Sequence, residues 1–215
     1  MDVLRVPTPV SWILSGATMS GKSRFIFKLL LNKNHIFDKP IDKVYYCHSI
    51  DQQLYHEMRE KIDNIVFYQG LPNMDEMTEW SKEGSVLIVF DDLQEEITSS
   101  KEASDLMLQG VHHLGLSSIM VLQNLYTKNR YSRNLALNSQ VYVLFRNRRD
   151  MTQMATFGRQ IMPNKCSAFV EICQHAFDHY GYLMVVTDPR LEHNELMLRS
   201  NIFQEEGPTV IYKCI

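Results

Sequence analysis

Gly16-Ala17-Thr18-Met19-Ser20-Gly21-Lys22-Ser23 reads G-x-x-x-x-G-K-S, and what flanks it decides its meaning. Before it stands the apolar run Val10-Ser11-Trp12-Ile13-Leu14. After it, Arg24-Phe25-Ile26-Phe27-Lys28-Leu29-Leu30-Leu31 reads as a helix. Strand, glycine-bearing loop and helix in that order mark a phosphate-binding loop rather than a chance string of small residues. The glycines let successive backbone N–H groups turn inward towards an anion, and the helix N-terminus adds its positive partial charge. In such a loop Lys22 reaches the β- and γ-phosphates and the Ser23 hydroxyl ligates Mg²⁺. The stretch predicts a site for a nucleoside triphosphate, ATP with Mg²⁺, cradled by residues 16–23.

Outward from this loop, strand-like runs alternate with helical ones. That pattern predicts an α/β P-loop NTPase fold, with a mostly parallel central sheet and helices on both faces. Expected strands are Val10–Ser15, Val44–Cys47, Ile65–Tyr68, Val86–Phe90, Ile119–Leu122, Val141–Phe145 and Tyr182–Val186. One expected helix follows the loop to about Leu31, and another runs from a cap at Asp51 to about Lys61. The others are Met74–Lys82, Lys101–Leu114, Asp150–Ile161 and Lys165–His179, the last two separated by Pro163. The polar segment from Pro189, ending in Val210-Ile211-Tyr212, finds no place in this scheme. No repeat, linker or low-complexity tract divides the chain. A single domain over residues 1–215 is expected, with its core at about 10–187 and a tail at 188–215.

Val86-Leu87-Ile88-Val89-Phe90 is the most continuous apolar run, as suits a strand buried on both faces, and it leads into Asp91-Asp92. Mg²⁺ on a triphosphate is oriented by an acid from an adjacent strand end, and Asp91 is placed to be that acid beside Ser23. Asp92, one residue further, can face the attacking water and orient or deprotonate it. Gln123 ends the next core strand, and a polar side chain there faces the ligand crevice, where it can sense the γ-phosphate. Hydrolysis also needs a cation against the developing negative charge. Arg130, Arg133, Arg146, Arg148 and Arg149 are candidates, with Arg133 favoured.

Two other clusters carry less. Cys166, Cys173, His175 and His179 are metal-capable types, but the spacing is not one of the short zinc pairings and the run reads as an amphipathic helix. His112-His113 reads as a helix C-terminal cap pair.

Hydrophobic content of 45%, charged content of 22% and a net charge of −3 describe an ordinary globular protein. The distribution of charge says more than its sum. Acids dominate from Asp75 to Asp105, opposed by Lys82 and Lys101. From Lys128 to Lys165 the balance reverses, with Lys128, Arg130, Arg133, Arg146, Arg148, Arg149, Arg159 and Lys165 facing Asp150. That sector could meet phosphate while the whole chain stays acidic. Cys47, Cys166, Cys173 and Cys214 are spread through mostly apolar runs, which predicts reduced, buried thiols in an intracellular compartment. The apolar runs fall far short of the ~20 residues that span a bilayer, and Pro7 and Pro9 break the opening segment. A soluble protein that is neither secreted nor membrane-bound is expected.

Taken together, these residues resemble the FtsK–HerA class of P-loop ATPases. The likeness is nearest to the DNA-packaging ATPases of poxviruses, other large DNA viruses and Polinton/Maverick or adintovirus-like elements. It is carried by Ser15–Ser23, Val86–Leu93 and Val121–Tyr126, then by Arg133, Leu137–Phe145, Arg149-Asp150 and the Gln160-x-x-Pro163 series. The resemblance implies a RecA-like core working as a hexameric or pentameric ring that pushes double-stranded DNA into a viral capsid. It also implies a sensor role for Gln123 and an arginine, here Arg133, that reaches a neighbouring subunit's ATP. The implied setting is the host nucleus, a cytoplasmic virus factory or the virion. In this chain the second acid is Asp92, where many relatives of the class have Glu. Any cutting of DNA is expected to fall to another protein.

Two rival readings use the same loop. A nucleotide or small-molecule kinase would need an acceptor pocket and an arginine-rich lid, and no such lid is evident in the sequence. A nucleotide-gated adaptor that binds DNA or capsid with little turnover would keep the loop without needing Asp92 or Gln123.

Overall fold

The computed structural model describes residues 4–105, 111–126, 130–147, 151–178, 181–191 and 193–213. Its strands are β1 (Ser11–Ser15), β2 (Lys43–His48), β3 (Ile65–Gln69), β4 (Val86–Asp91), β5 (Ser117–Leu122), β6 (Val141–Phe145), β7 (Tyr182–Val186), β8 (Leu198–Ser200) and β9 (Val210–Tyr212). The helices are α1 (Lys22–Leu31), α2 (Lys33–Ile36), α3 (Gln53–Lys61), α4 (Met74–Ser81), α5 (Gln94–Ser99), α6 (Lys101–Asp105), α7 (Val111–His113), α8 (Arg130–Leu137), α9 (Thr152–Ile161) and α10 (Cys166–Ala176).

All strands join one nine-stranded sheet in the order β3-β2-β4-β5-β1-β6-β7-β8-β9. Pairing is parallel from β3 through β6 and antiparallel from β6 to β9, so the sheet is mostly parallel as expected. In β4, Val86, Ile88 and Phe90 enter one core layer while Leu87 and Val89 enter the other. A strand with no polar face can satisfy both sides only if helices cover both. They do. α1, α2 and α3 cover the face of Leu87, while α4, α5, α9 and α10 cover that of Ile88.

Strand order corrects one expectation. The acid-bearing strand β4 is not beside the loop-bearing strand β1, because β5 lies between them. The insertion puts the end of β5, and so Gln123, in the middle of the site. Two local expectations also change. The cap of α3 is Gln52, whose side chain makes no capping bond, while Asp51 instead accepts from Arg59 Nη2 at 3.1 Å. Of the helix expected over Lys101–Leu114, the described residues show Lys101–Asp105 (α6) and Val111–His113 (α7), and residues 106–110 lie outside them. The tail supplies two strands, β8 and β9, that continue the sheet.

The tail also braces the helix that follows the phosphate loop. Phe203 is fully buried, with its ring centroid 5.1 Å from that of Phe25 in α1 and 6.2 Å from that of Tyr182. Beside it, Glu206 accepts hydrogen bonds from Lys28 Nζ at 2.9 Å and from the Tyr182 hydroxyl at 2.6 Å. Removing the Phe203 side chain leaves a cavity under α1. Phe203→Ala should therefore cost about 3–5 kcal/mol in urea denaturation, more than a disposable tail would show.

Candidate nucleotide site

Strands β1, β5 and β4 end at the same level, since Ser15 pairs with Leu122 and Phe90 with Met120. Their carboxyl ends open into a cavity of about 930 Å³. Thr18, Met19, Gly21, Lys22 and Ser23 line it on the loop side, with Asp91, Asp92, Gln123 and Asn124 opposite. The crevice outside the strand ends is where an open α/β sheet takes its ligand.

The loop holds its shape through its glycines and its lysine. Gly16 packs so closely that an added Cβ would lie 2.6 Å from Phe145 Cβ and 2.9 Å from Ser20 Oγ. Gly21 caps α1 at φ 100°, a left-handed conformation that costs glycine little. Lys22 folds back to donate to the Gly16 carbonyl at 2.6 Å and the Ala17 carbonyl at 2.9 Å. Burial holds its ammonium below the ordinary lysine value, and the charges of Asp91 and Asp92 oppose that shift. Met19, at φ 63°, is almost fully exposed at the loop tip. Gly16→Ala should displace the loop against Phe145 and lower kcat/KM for ATP by about 10²-fold, the loss that a misplacement of about 1 Å can cause.

Asp91 is buried at the end of β4, on the face covered by α1 and α3. Its Oδ2 accepts three hydroxyl bonds, from Ser23 Oγ at 2.9 Å, Tyr46 at 2.6 Å and Tyr55 at 3.2 Å. Burial, and then the charge of Asp91, pushes both phenols well above the ordinary tyrosine range, which keeps them donors. Asp92 is exposed at φ 60°, a region Asp tolerates better than most side chains, and it turns away from the core into the cavity. Gln123 is exposed at the end of β5, and its backbone N–H donates to Gln94 Oε1 at 2.7 Å.

Beyond Gln123 the chain is fastened by α9. Gln153 Oε1 accepts from the backbone N–H groups of Leu125 at 2.8 Å and Tyr126 at 3.4 Å. The Tyr126 hydroxyl donates to Gln160 at 2.6 Å. These two glutamines, two turns apart on α9, fix the direction in which the chain leaves the site.

Several predicted residues therefore meet in one place: Gly16–Ser23, Asp91, Asp92 and Gln123. Arg133 lies in α8, but its side chain and that of Arg130 fall outside the described residues. So do Lys128, Arg148, Arg149 and His179 altogether. Arg146, Arg159 and Lys165 are exposed, as a phosphate-contacting sector requires. The cysteine–histidine run does not converge, since Cys173 points into the core while His175 is exposed and lies 3.3 Å from the Tyr212 hydroxyl. Cys47, Cys166 and Cys173 are free thiols. Among the described residues no cluster of three potential metal ligands occurs, and no helix is long and apolar enough to cross a membrane.

The sequence reading missed Tyr46, Tyr55 and Gln94, together with Gln52, Glu95 and Glu96 on the cavity wall. Tyr46 in an apolar strand and Tyr55 on the buried face of a polar helix both look like core until strand register and the packing of α3 set them beside an acid. A periodicity reading carries no such register.

The residues present suit Mg²⁺ and a triphosphate. Ser23 and Asp91 form an oxygen donor pair of the kind a hard cation takes. Ser20 Oγ is buried with no hydrogen-bond partner, within the loop that would cradle phosphate. The Lys22 ammonium is held at its two bonds to the loop's own carbonyls.

No family model and no curated protein matches the chain. Solved structures do. The DNA-packaging ATPase B204 of Sulfolobus turreted icosahedral virus superposes with a TM-score of 0.59 at 13% identity, over 97% of this chain and 98% of its own. The genome packaging NTPase B204 of Sulfolobus turreted icosahedral virus 2, in complex with ATP-γS, gives a TM-score of 0.53 at 15% identity, over 96% and 98%. The cytoplasmic domain of the type VII secretion ATPase EccC of Thermomonospora curvata gives 0.54 at 13% identity, over 83% of this chain and 24% of its own. At these identities the likeness is one of fold. The chain has the α/β fold of P-loop NTPases, one that it shares over nearly its whole length with viral genome-packaging ATPases.

Proposed function

We propose that this chain is an ATP-hydrolysing motor that drives double-stranded DNA into a viral capsid as a ring of identical subunits. One observation carries the reading: the phosphate loop, both carboxylates and Gln123 line a single cavity at the ends of β1, β5 and β4. The end-to-end fold match to packaging ATPases supports the choice of motor over kinase.

In this reading the N–H groups of residues 16–23 and the Lys22 ammonium bind the β- and γ-phosphates. Ser23 and Asp91 would hold Mg²⁺, which when bound neutralises charge on those phosphates. Asp92 orients the attacking water and accepts its proton, and its exposed position leaves room for that water. Gln123 contacts the γ-phosphate or the water from between loop and acids. Arg133, on α8, reaches the ATP of the neighbouring subunit. The exposed Arg146, Arg159 and Lys165 meet DNA phosphates or subunit interfaces, so binding is salt-sensitive and weakly selective for sequence.

Displacement of a triplex-forming oligonucleotide from duplex DNA tests the motor directly. ATP-dependent displacement that ATP-γS does not support is the expected result. Rapid ATP turnover with no displacement on any duplex would remove the motor and leave an ATPase of another kind.

A further inference from the structure

We infer that Tyr46 and Tyr55 are positioning residues for the metal site: their hydroxyls clamp one oxygen of Asp91 so that the other is left for Mg²⁺ or its water. The inference rests on the ATP–Mg²⁺ reading of the cavity.

Both phenols are fully buried. A buried hydroxyl costs free energy unless it finds a partner, and a phenylalanine would fill either place without that cost. The surroundings would accept one, since the Tyr46 ring packs 5.1 Å from Phe67 and the Tyr55 ring 5.3 Å from it. What the hydroxyls bond is the Asp91 carboxylate, at 2.6 Å and 3.2 Å. Packing explains the rings. It does not explain the oxygens.

Register explains how they arrive. His48 of β2 pairs with Asp91 of β4 and Tyr46 with Val89, so Tyr46 sits two residues back on the same sheet face as the carboxylate. Tyr55 comes from α3, which covers that face. With Ser23 the two tyrosines give Oδ2 three donors, more than its two lone pairs accept well. No bond to Asp91 Oδ1 is found among the described residues, and Asp91 lines the cavity. The crowded oxygen is a fixed pivot, and the uncrowded one is the metal-facing acceptor. Tyr45, next in sequence, makes the contrast. It points to the other face, where its hydroxyl bonds Glu83 and its ring stacks on Trp80.

The test is the Mg²⁺ dependence of nucleotide affinity, which needs no turnover. Binding of the fluorescent analogue mant-ATP is measured across a Mg²⁺ titration and in EDTA, for wild type, Tyr46→Phe, Tyr46→Phe/Tyr55→Phe and the control Tyr45→Phe. Tyr46→Phe should raise the half-saturating Mg²⁺ concentration about tenfold, since a hydrogen bond to a charged group is worth roughly that factor. The double variant should raise it further. Affinity in EDTA should not change, and Tyr45→Phe should match wild type throughout. A wild-type Mg²⁺ midpoint in the double variant overturns the clamp, as does an equal loss with and without Mg²⁺, which would make the hydroxyls merely structural. If wild type binds mant-ATP yet gains nothing from Mg²⁺, the metal-site reading falls and the clamp with it. If wild type gains and the variants gain equally, the clamp alone falls.

Discussion

Lys22→Ala should bind ATP roughly 10–100-fold more weakly than wild type, the loss expected from deleting charge-assisted hydrogen bonds to phosphate. Hydrolysis of what still binds should fall by about a further 10²–10³-fold, because the same ammonium meets charge that grows during cleavage. Two effects combine in this variant. The cation is lost, and so are the bonds from Nζ to the Gly16 and Ala17 carbonyls that shape the loop. Lys22→Arg separates them poorly, since a planar fork does not fit where a compact ammonium sits between two carbonyls. Isothermal titration with ATP and single-turnover hydrolysis read the two losses separately. Normal ATP affinity in Lys22→Ala would contradict the phosphate-loop assignment.

The second large effect belongs to Asp92. Removing a general base slows its step by about 10²–10⁴-fold, and here the loss should appear in the rate with ATP binding retained. Asn is the informative replacement. Asp92 sits at φ 60°, where Asn is tolerated and most other side chains are strained, so Asp92→Asn removes the base with little change to the backbone. Asp92→Ala adds strain to the chemical loss. Gln123→Ala should also bind ATP and lose most hydrolysis. Its backbone bond to Gln94 survives truncation of its own side chain, so the end of β5 stays in place. Single-turnover assays with enzyme in excess over nucleotide check all three. Hydrolysis at the wild-type rate in Asp92→Asn would move the base elsewhere, to Glu95 or Glu96 on the same wall.

Much of this site is legible in the sequence because its chemistry is local. A phosphate loop places its residues by their own turn and helix, and an apolar strand running into two acids places Asp91 by its own direction. Strands β6 and β7 are legible to the residue, since Val141–Phe145 and Tyr182–Val186 are apolar runs with clear ends. What stays hidden depends on pairing. The sequence does not state that β5 is inserted between β1 and β4, and that order is what puts Gln123 between loop and acids. Tyr46 and Tyr55 read as core because their partner, Asp91, is reached only through the β2–β4 register and the packing of α3. The tail strands Leu198–Ser200 and Val210–Tyr212 are too short to show alternation and exist only by antiparallel pairing with what precedes them. Helix α5 escapes a periodicity reading for a related reason. Gln94–Ser99 carries one apolar residue, Ile97, and is anchored by that side chain in the core rather than by a periodic face.

The arginines mark the other boundary. A residue that completes a neighbour's site is placed by assembly, and one chain's sequence does not state it. Arg133→Ala should bind ATP and fail to hydrolyse it, and mixing it with Asp92→Asn subunits should restore part of the activity. Absence of rescue at every mixing ratio would count against a shared active site.

The central claim is that cleavage of ATP in this cavity works on a DNA duplex. Steady-state ATP hydrolysis by the wild-type chain, measured with and without duplex DNA at low salt, tests it most directly. The account predicts turnover that duplex DNA stimulates and that salt suppresses along with DNA binding. Turnover that is brisk and indifferent to DNA at every salt concentration would contradict it.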